Sequence, residues 1–241
     1  MLNRILMIGL VAGGLSGFAA SAVQAVWPAP LILEAETYEN RGPAASAVVA
    51  TGPAVVASHD HSAHLKAAEP WAPEDGLERT LWTLVINVII GVGGAFLLVA
   101  GMNLLPRVTI GTGLGWGAAG FATFALAPAL GLPPELPGTF AVELAERQGW
   151  WLGTVVATAF GLGLMFYGKA SSLRVLGAAL LAVPHIIGAP QPDVHGGLAP
   201  AELQHQFVVA ALLSSAVFWL VLGGVSGFMF QRFERARQAA A

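Results

Sequence analysis

The sequence predicts an all-α, polytopic integral membrane protein: a helix bundle with about six transmembrane helices, five being possible. Of its 241 residues, 56% are hydrophobic and only 10% are charged, whereas an average soluble domain carries about 25% charged residues. Such a chain has too few charged side chains to cover a soluble surface. Its apolar residues also occur in long blocks, which is typical of membrane-spanning helices.

Six apolar blocks predict where the spans lie. A span needs about 20 apolar residues, because about 30 Å of hydrocarbon is crossed at 1.5 Å per residue. Backbone amides find no water there, so each span is expected to be a helix. The fifth block is the weakest because Arg174 lies near its start and must snorkel to the interface. The predicted spans are residues 5–27, 81–105, 111–132, 150–167, 170–189 and 207–230.

The distribution of charge between the loops predicts the orientation. With six crossings and the N-terminus inside, the inner face carries seven basic residues and one acid, a net charge of +6, and the outer face carries −9. Basic residues favour the inner face. Five crossings would place Arg232, Arg235 and Arg237 outside. We therefore expect six crossings with both termini in the cytoplasm.

The first block has an alternative interpretation as a cleaved signal peptide. Arg4, an apolar stretch and the Ala-Val-Gln-Ala string at 22–25 resemble a signal with its cleavage site. The stretch is longer than a usual signal core, and a four-residue spacing of glycines lets helices approach closely. We prefer a retained helix and predict close packing at such glycines. They are Gly9, Gly13, Gly17, Gly111, Gly115, Gly113, Gly117, Gly223 and Gly227.

One long outer loop is predicted at residues 28–79. Its middle, residues 41–70, is rich in Ala, Pro, Gly, Ser and Val without periodicity, which favours a mobile linker. Residues 31–38 are expected to form a short interfacial helix that carries Glu34 and Glu36. Pro73 suits the first turn of a helix that leads into the second span. The acidic residues that suit the positive end of that helix are Glu74, Asp75 and Glu78.

The histidines indicate a surface that captures metal ions. None of the six lies on the predicted inner face; His185 lies about one turn inside the fifth span and the others lie in outer segments. Imidazole nitrogen and carboxylate oxygen suit cobalt, nickel or zinc, and an acidic face concentrates cations. The histidines of the outer segments are His59, His61, His64, His195 and His205.

Two of these features have alternative interpretations. Three imidazoles within residues 59–64 can bind one ion weakly, or they are a polar patch in a mobile linker. His185 follows Pro184, and an ionisable group inside a span usually faces a protein cavity. Proline also frees a backbone carbonyl, which is tolerable at a polar site. We interpret His185 as part of an ion path; the alternative is a histidine at headgroup depth.

Neutral polar residues inside the spans could continue that path. Asn87 in the second span and Ser214 and Ser215 in the sixth lie about two turns from the outer ends. Thr154 and Thr158 are weaker examples. The alternative for each is a hydrogen bond between helices.

Several other chemistries are excluded. The chain has no cysteine, so disulfides, thiolate metal sites and cysteine nucleophiles are absent. It contains no phosphate-binding loop, no H-E-x-x-H and no G-x-S-x-G. We therefore expect no enzymatic activity and no resident cofactor. The net charge of −3 gives no general attraction to nucleic acid, and energy for concentrating an ion must come from the membrane potential, a gradient or a partner.

Five strings carry a resemblance to a known family: ILEAE at 32–36, WAPEDGLERT at 71–80, APALGLPPELPG at 127–138, RQGWWLGT at 147–154 and PHIIGAPQP at 184–192. In these the chain resembles the CbtA family of proposed bacterial cobalt-transporter subunits. The resemblance implies a multispan protein of the bacterial inner membrane, often with about five spans, and a small single-span partner, CbtB, that carries histidines. The matching candidate residues are Glu34, Glu36, Glu74, Asp75, Glu78, Glu135, His185 and His195.

The resulting hypothesis is a membrane transporter subunit for a divalent transition-metal ion, with cobalt import for cobalamin supply as the expected role. A non-transporting assembly or metal-sensing subunit is the alternative. Nickel is the rival ion, because the order of metal affinities does not separate it from cobalt.

Overall fold

A computed structural model describes residues 2–40, 71 and 73–239, and in these ranges the fold is all-α, as predicted. The one feature of β type in the described ranges is an isolated antiparallel bridge between Thr139 and Gly197. The described helices are α1 (Leu2–Val26), α2 (Pro28–Glu39), α3 (Leu77–Met102), α4 (Ile110–Ala129), α5 (Leu144–Tyr167), α6 (Ser171–Ile187) and α7 (Ala201–Ala239).

Five of the helices, α1, α3, α4, α5 and α7, are long and apolar enough to cross a membrane. The sixth predicted span corresponds to α6, which has 17 residues and is therefore about 25 Å long. It runs back along α5 as far as Trp150, whose indole donates to the Pro184 carbonyl at 3.3 Å. The described chain thus passes six times between the two ends of the bundle, and six membrane crossings stay a prediction.

The loops gather into two ends of opposite charge. We call residues 28–39, 73–79, 130–147 and 189–206 the acidic end; Gln204 joins two of its segments by bonding the Leu136 amide and the Pro134 carbonyl. The arginine end comprises residues 2–4, 103–109, 168–174 and 231–239. There Arg4 donates to Asn103 at 3.2 Å and its guanidinium lies 5.1 Å from the centre of the Phe230 ring.

Glycines bring three pairs of helices into close contact. A Cβ on Gly17 of α1 would lie 2.6 Å from the Asn87 carbonyl oxygen of α3, and Gly161 of α5 and Gly177 of α6 approach each other equally closely. The α4–α7 pair is formed by Gly113, Gly117, Gly223 and Gly227. The predicted close packing is thus confirmed there, but it is wrong for Gly111 and Gly115, which face away from the neighbouring helices.

Helix α1 is part of the core. Ile8, Ala12 and Ser16 are fully buried, and Ile8 packs in one cluster with Met102 and Leu222. Loss of α1 would uncover this cluster, and a retained helix, with a cleaved signal as its alternative, stays a prediction.

Several helix boundaries differ from those predicted, and α5 begins at Leu144 rather than at residue 150. Helix α3 begins at Leu77 and not at Pro73, because Gly76 has a φ of +97° that interrupts the helical path. Helix α4 ends at Ala129. Helix α7 extends beyond the apolar block at both ends to 39 residues, or about 58 Å, because neither flank contains a proline or glycine that would end it.

Candidate functional site

Two adjoining cavities run from the acidic end to the middle of the bundle, between α1, α3 and α7. The outer cavity has a volume of about 440 Å³ and is lined at its mouth by Asp75 and Arg79. The inner cavity has a volume of about 380 Å³ and is lined in part by Asn87. Gln24, Ala211 and Ser214 line both cavities. The two cavities therefore adjoin at these three residues, and a few polar side chains line them among mostly apolar ones.

An arginine lies at the mouth of the outer cavity. Arg79 binds both carboxylate oxygens of Glu36, at 2.5 and 3.0 Å, and donates to Asp75 at 2.9 Å. Its side chain is 35% exposed. The contact joins α2 to the start of α3. It also means that two of the predicted metal ligands, Glu36 and Asp75, are engaged by a fixed cation in this conformation.

An amide network lies where the two cavities meet. The Asn87 amide nitrogen donates to Gln24 Oε1 at 2.7 Å and to Ser21 Oγ at 2.9 Å. Asn87 therefore makes the hydrogen bond between helices that was the alternative interpretation, and it also lines the inner cavity. Because both amide hydrogens are used, the carbonyl oxygen is the group that remains for a ligand.

Ser214 of α7 is one of the residues that line both cavities. It is 2% exposed, and its hydroxyl has no hydrogen-bond partner among the described residues. A buried polar group without a partner costs about 1–3 kcal/mol. Thr158 and Ser226 are also buried without a partner among the described residues and line neither cavity, so the missing partner alone does not mark a ligand site. Ser215, the next residue of α7, lines the inner cavity.

A wider helical turn forms part of the wall of the inner cavity. Residues Ala122–Leu126 of α4 form a π-helical turn, just before Pro128, which has no N–H to continue the α-helical ladder. Phe124 of this turn stacks on Trp219 of α7, with ring centroids 5.2 Å apart and planes 11° apart. This turn was not predicted, and Pro128 inside the third predicted span was the signal that could have located it.

His185 does not belong to this space. It lies on the exposed side of α6, edge-on to Trp150 with ring centroids 6.1 Å apart, and it lines neither cavity. Thr154 and Thr158 are buried in α5 and also line neither cavity. The structure therefore brings together Asn87, Ser214 and Ser215 but separates them from His185.

The remaining candidates are spread over the acidic end. His195 and Glu135 line a separate cavity of about 410 Å³, and Glu135 is paired with Arg147 at 2.6 Å. Over the ranges 2–40 and 73–239, no three His, Asp or Glu residues are placed to hold one metal ion. The residues Glu34, Glu74, Glu78 and His205 are exposed. The cluster of His59, His61 and His64 lies outside the described residues.

Comparison with known protein families identifies the family of this chain. A family model described as "probable cobalt transporter subunit (CbtA)" matches residues 2–231. The chain belongs to the CbtA family. No curated protein and no solved structure matched it.

The matched range of the CbtA family includes all seven described helices except the last turns of α7. The resemblance noted in the sequence is thereby confirmed. With five helices able to cross a membrane, this CbtA protein is a membrane protein. As a subunit of a transporter, it acts together with other components.

Proposed function

We propose that the chain imports Co²⁺ through the bacterial inner membrane, from the acidic end to the arginine end, by way of the outer and inner cavities. The observation that carries this proposal is that Gln24 and Ser214 line both cavities. Two adjoining cavities with oxygen-bearing side chains, reaching from charged groups to the middle of apolar helices, offer a cation a route with ligands along it.

The charge of the acidic end supports its role in capture. Every acidic residue that the structure describes, except Glu234, belongs to this end. A surface of one sign raises the local concentration of the opposite ion. In the proposal, the exposed candidates recruit the hydrated ion and deliver it to the mouth at Arg79. These candidates are Glu34, Glu74, Glu78, His195 and His205.

Neutral oxygens support the passage that follows. The Asn87 amide oxygen and the Ser214 hydroxyl can replace part of the water around a cation without holding it as tightly as a carboxylate would. Conduction requires binding that is strong enough to admit an ion and weak enough to release it. For a divalent ion that moves into a negative interior, the membrane potential supplies about 4.6 kcal/mol per 100 mV.

The experiment compares two serines of α7. Ser214 and Ser226 are both buried, and neither hydroxyl has a hydrogen-bond partner in the described part of the chain; only Ser214 lines the cavities. Cells that carry the chain with a small single-span CbtB-like partner are tested for uptake of labelled Co²⁺ and Ni²⁺. Ser214→Ala is expected to reduce Co²⁺ uptake severalfold, and Ser226→Ala to leave it at the wild-type rate.

Three results would count against the proposal. Equal uptake by the Ser214→Ala and Ser226→Ala variants would remove the cavities from the path. Metal binding to the purified pair without flux into liposomes would favour a sensing or assembly subunit. Accumulation of Ni²⁺ in preference to Co²⁺ would keep the path and change its cargo.

A further inference from the structure

An apolar cleft of about 500 Å³ separates α3 and α4 from α5. Phe124 and Trp219 line both this cleft and the inner cavity, so the stacked pair forms the wall between them. Leu97, which lines both spaces, is 65% exposed, and Phe166, which lines the cleft, is 72% exposed. The cleft therefore opens sideways, between the apolar parts of α3 and α5, where the surroundings are hydrocarbon.

The lining of the cleft suits an acyl chain. Its α5 wall is formed by Ala159, Leu162, Gly163 and Phe166, which covers about two helical turns or 12 Å along the axis. Apolar cavities exclude water, and an empty cleft would lose the dispersion contacts of every lining atom. A hydrocarbon chain from the bilayer restores those contacts.

The end of the cleft that lies at the arginine end is polar. Trp116 Nε1 donates to the Tyr167 hydroxyl at 3.1 Å, and both residues line the cleft together with Thr112 in the first turns of α4. Lys169 follows Tyr167 by two residues, and Arg107 precedes the start of α4 by three. Lys169 and Arg107 are thus exposed cations at the arginine end, close along the chain to the cleft residues Tyr167 and Thr112.

We propose that this cleft binds an anionic phospholipid, with an acyl chain between α3, α4 and α5 and the headgroup phosphate at Lys169 and Arg107. Basic pockets between membrane helices on the cytoplasmic side suit such headgroups. The bound lipid would fill the gap between the bundle and the α5–α6 pair, and so hold that pair in place.

Two glycines make the site testable. A side chain added at Gly115 or Gly163 would meet no atom within 4 Å, and both residues line the cleft. The Cβ of Gly163→Phe or Gly115→Leu would therefore lie in open space, and the larger side chains are chosen to fill the cleft. Gly153 has equally open surroundings on the same helix α5 but does not line the cleft. Gly153→Phe is the matched control.

The full chain is purified in detergent, and bound lipid is counted by native mass spectrometry after addition of phosphatidylglycerol or phosphatidylcholine with the same acyl chains. Wild type and Gly153→Phe are expected to bind phosphatidylglycerol about tenfold more tightly than phosphatidylcholine, because two cations attract the negative charge of phosphatidylglycerol. Gly163→Phe and Gly115→Leu should lose this binding. The double variant Lys169→Gln/Arg107→Gln should keep phosphatidylcholine binding and lose the preference.

The proposal is overturned if the two lipids bind wild type equally. It is also overturned if the cleft-filling variants bind phosphatidylglycerol as Gly153→Phe does, or if the preference survives in the double variant. Because lipid is counted directly, these outcomes do not depend on ion transport.

Discussion

The side-chain amide of Asn87 donates to Gln24 Oε1 at 2.7 Å and thereby joins α3 to α1 at the junction of the outer and inner cavities. The same nitrogen donates to Ser21 at 2.9 Å. Asn87 thus contributes both to the packing of α1 against α3 and to the wall of the candidate path. We therefore expect its substitution to lower both stability and transport.

Asn87→Leu is expected to lower Co²⁺ uptake at least as much as Ser214→Ala does. The variant loses two hydrogen bonds between helices, at about 0.6–2 kcal/mol each, and replaces an oxygen in the cavity wall by an apolar group. Thermal unfolding in detergent and uptake in cells measure the two effects. His185→Ala, which changes a residue outside both cavities, should retain far more uptake; the reverse order would refute the assignment of the path.

Arg79→Gln is expected to lower the Co²⁺ concentration that gives half-maximal uptake. The variant leaves Glu36 and Asp75 without their cation, which makes the mouth more negative by one charge. At about 4 Å in water, one unit charge pair is worth about 1 kcal/mol, so a divalent ion gains about 2 kcal/mol and a shift of about thirtyfold is expected. The partly exposed ion pair itself should contribute at most about 1 kcal/mol to stability.

The charge-matched control for Arg79→Gln is Arg147→Gln. Arg147 pairs with Glu135 at the same acidic end but does not line the outer or inner cavity. Both variants change the net charge of this end equally. If Arg147→Gln shifts the concentration dependence as much as Arg79→Gln, the effect is general attraction and Arg79 has no special place at the mouth.

Gly113→Ala is expected to destabilise the protein, whereas Gly111→Ala is not. A Cβ on Gly113 would overlap the backbone of Gly223 and Gly227 on α7, but one on Gly111 would meet only Thr109 Oγ1 at 3.7 Å. Overpacking of a close helix contact costs about 1–3 kcal/mol. Thermal unfolding of the two purified variants measures the difference, and equal midpoints would contradict the α4–α7 contact.

Six membrane crossings can be tested with single cysteines, because the chain has none. In intact spheroplasts, a membrane-impermeant maleimide should label Glu143→Cys and Asp193→Cys at the acidic end. It should label Gln238→Cys only after permeabilisation. Labelling of Gln238→Cys in intact spheroplasts would contradict six crossings with both termini in the cytoplasm.

The fold class followed from the sequence because long apolar blocks have few structural solutions in a membrane. The contrast between Gly113 and Gly111 did not, since a four-residue spacing is the same on every face of a helix and only the neighbouring helix selects one face. The short α6 was predicted as the weakest block, and its 17 residues agree with that ranking.

The candidate site was predicted in part. Asn87, Ser214 and Ser215 were grouped by their depth in the spans, and depth is readable from sequence. The outward side of His185 depends on how α6 is rotated against Trp150, and the engagement of Glu36 by Arg79 joins residues 43 positions apart. Both features depend on tertiary contacts, which leave no local pattern in the sequence.

The central claim is that the outer and inner cavities form a hydrated path that Co²⁺ occupies. Its most direct measurement is the rate at which a small, impermeant, water-soluble thiol reagent modifies Ser214→Cys, compared with Ser226→Cys. We predict that the reagent modifies Ser214→Cys from the acidic side and that added Co²⁺ slows this reaction. We predict no modification of Ser226→Cys. If Ser214→Cys is inert, or reacts at a rate that Co²⁺ does not change, the claim is contradicted.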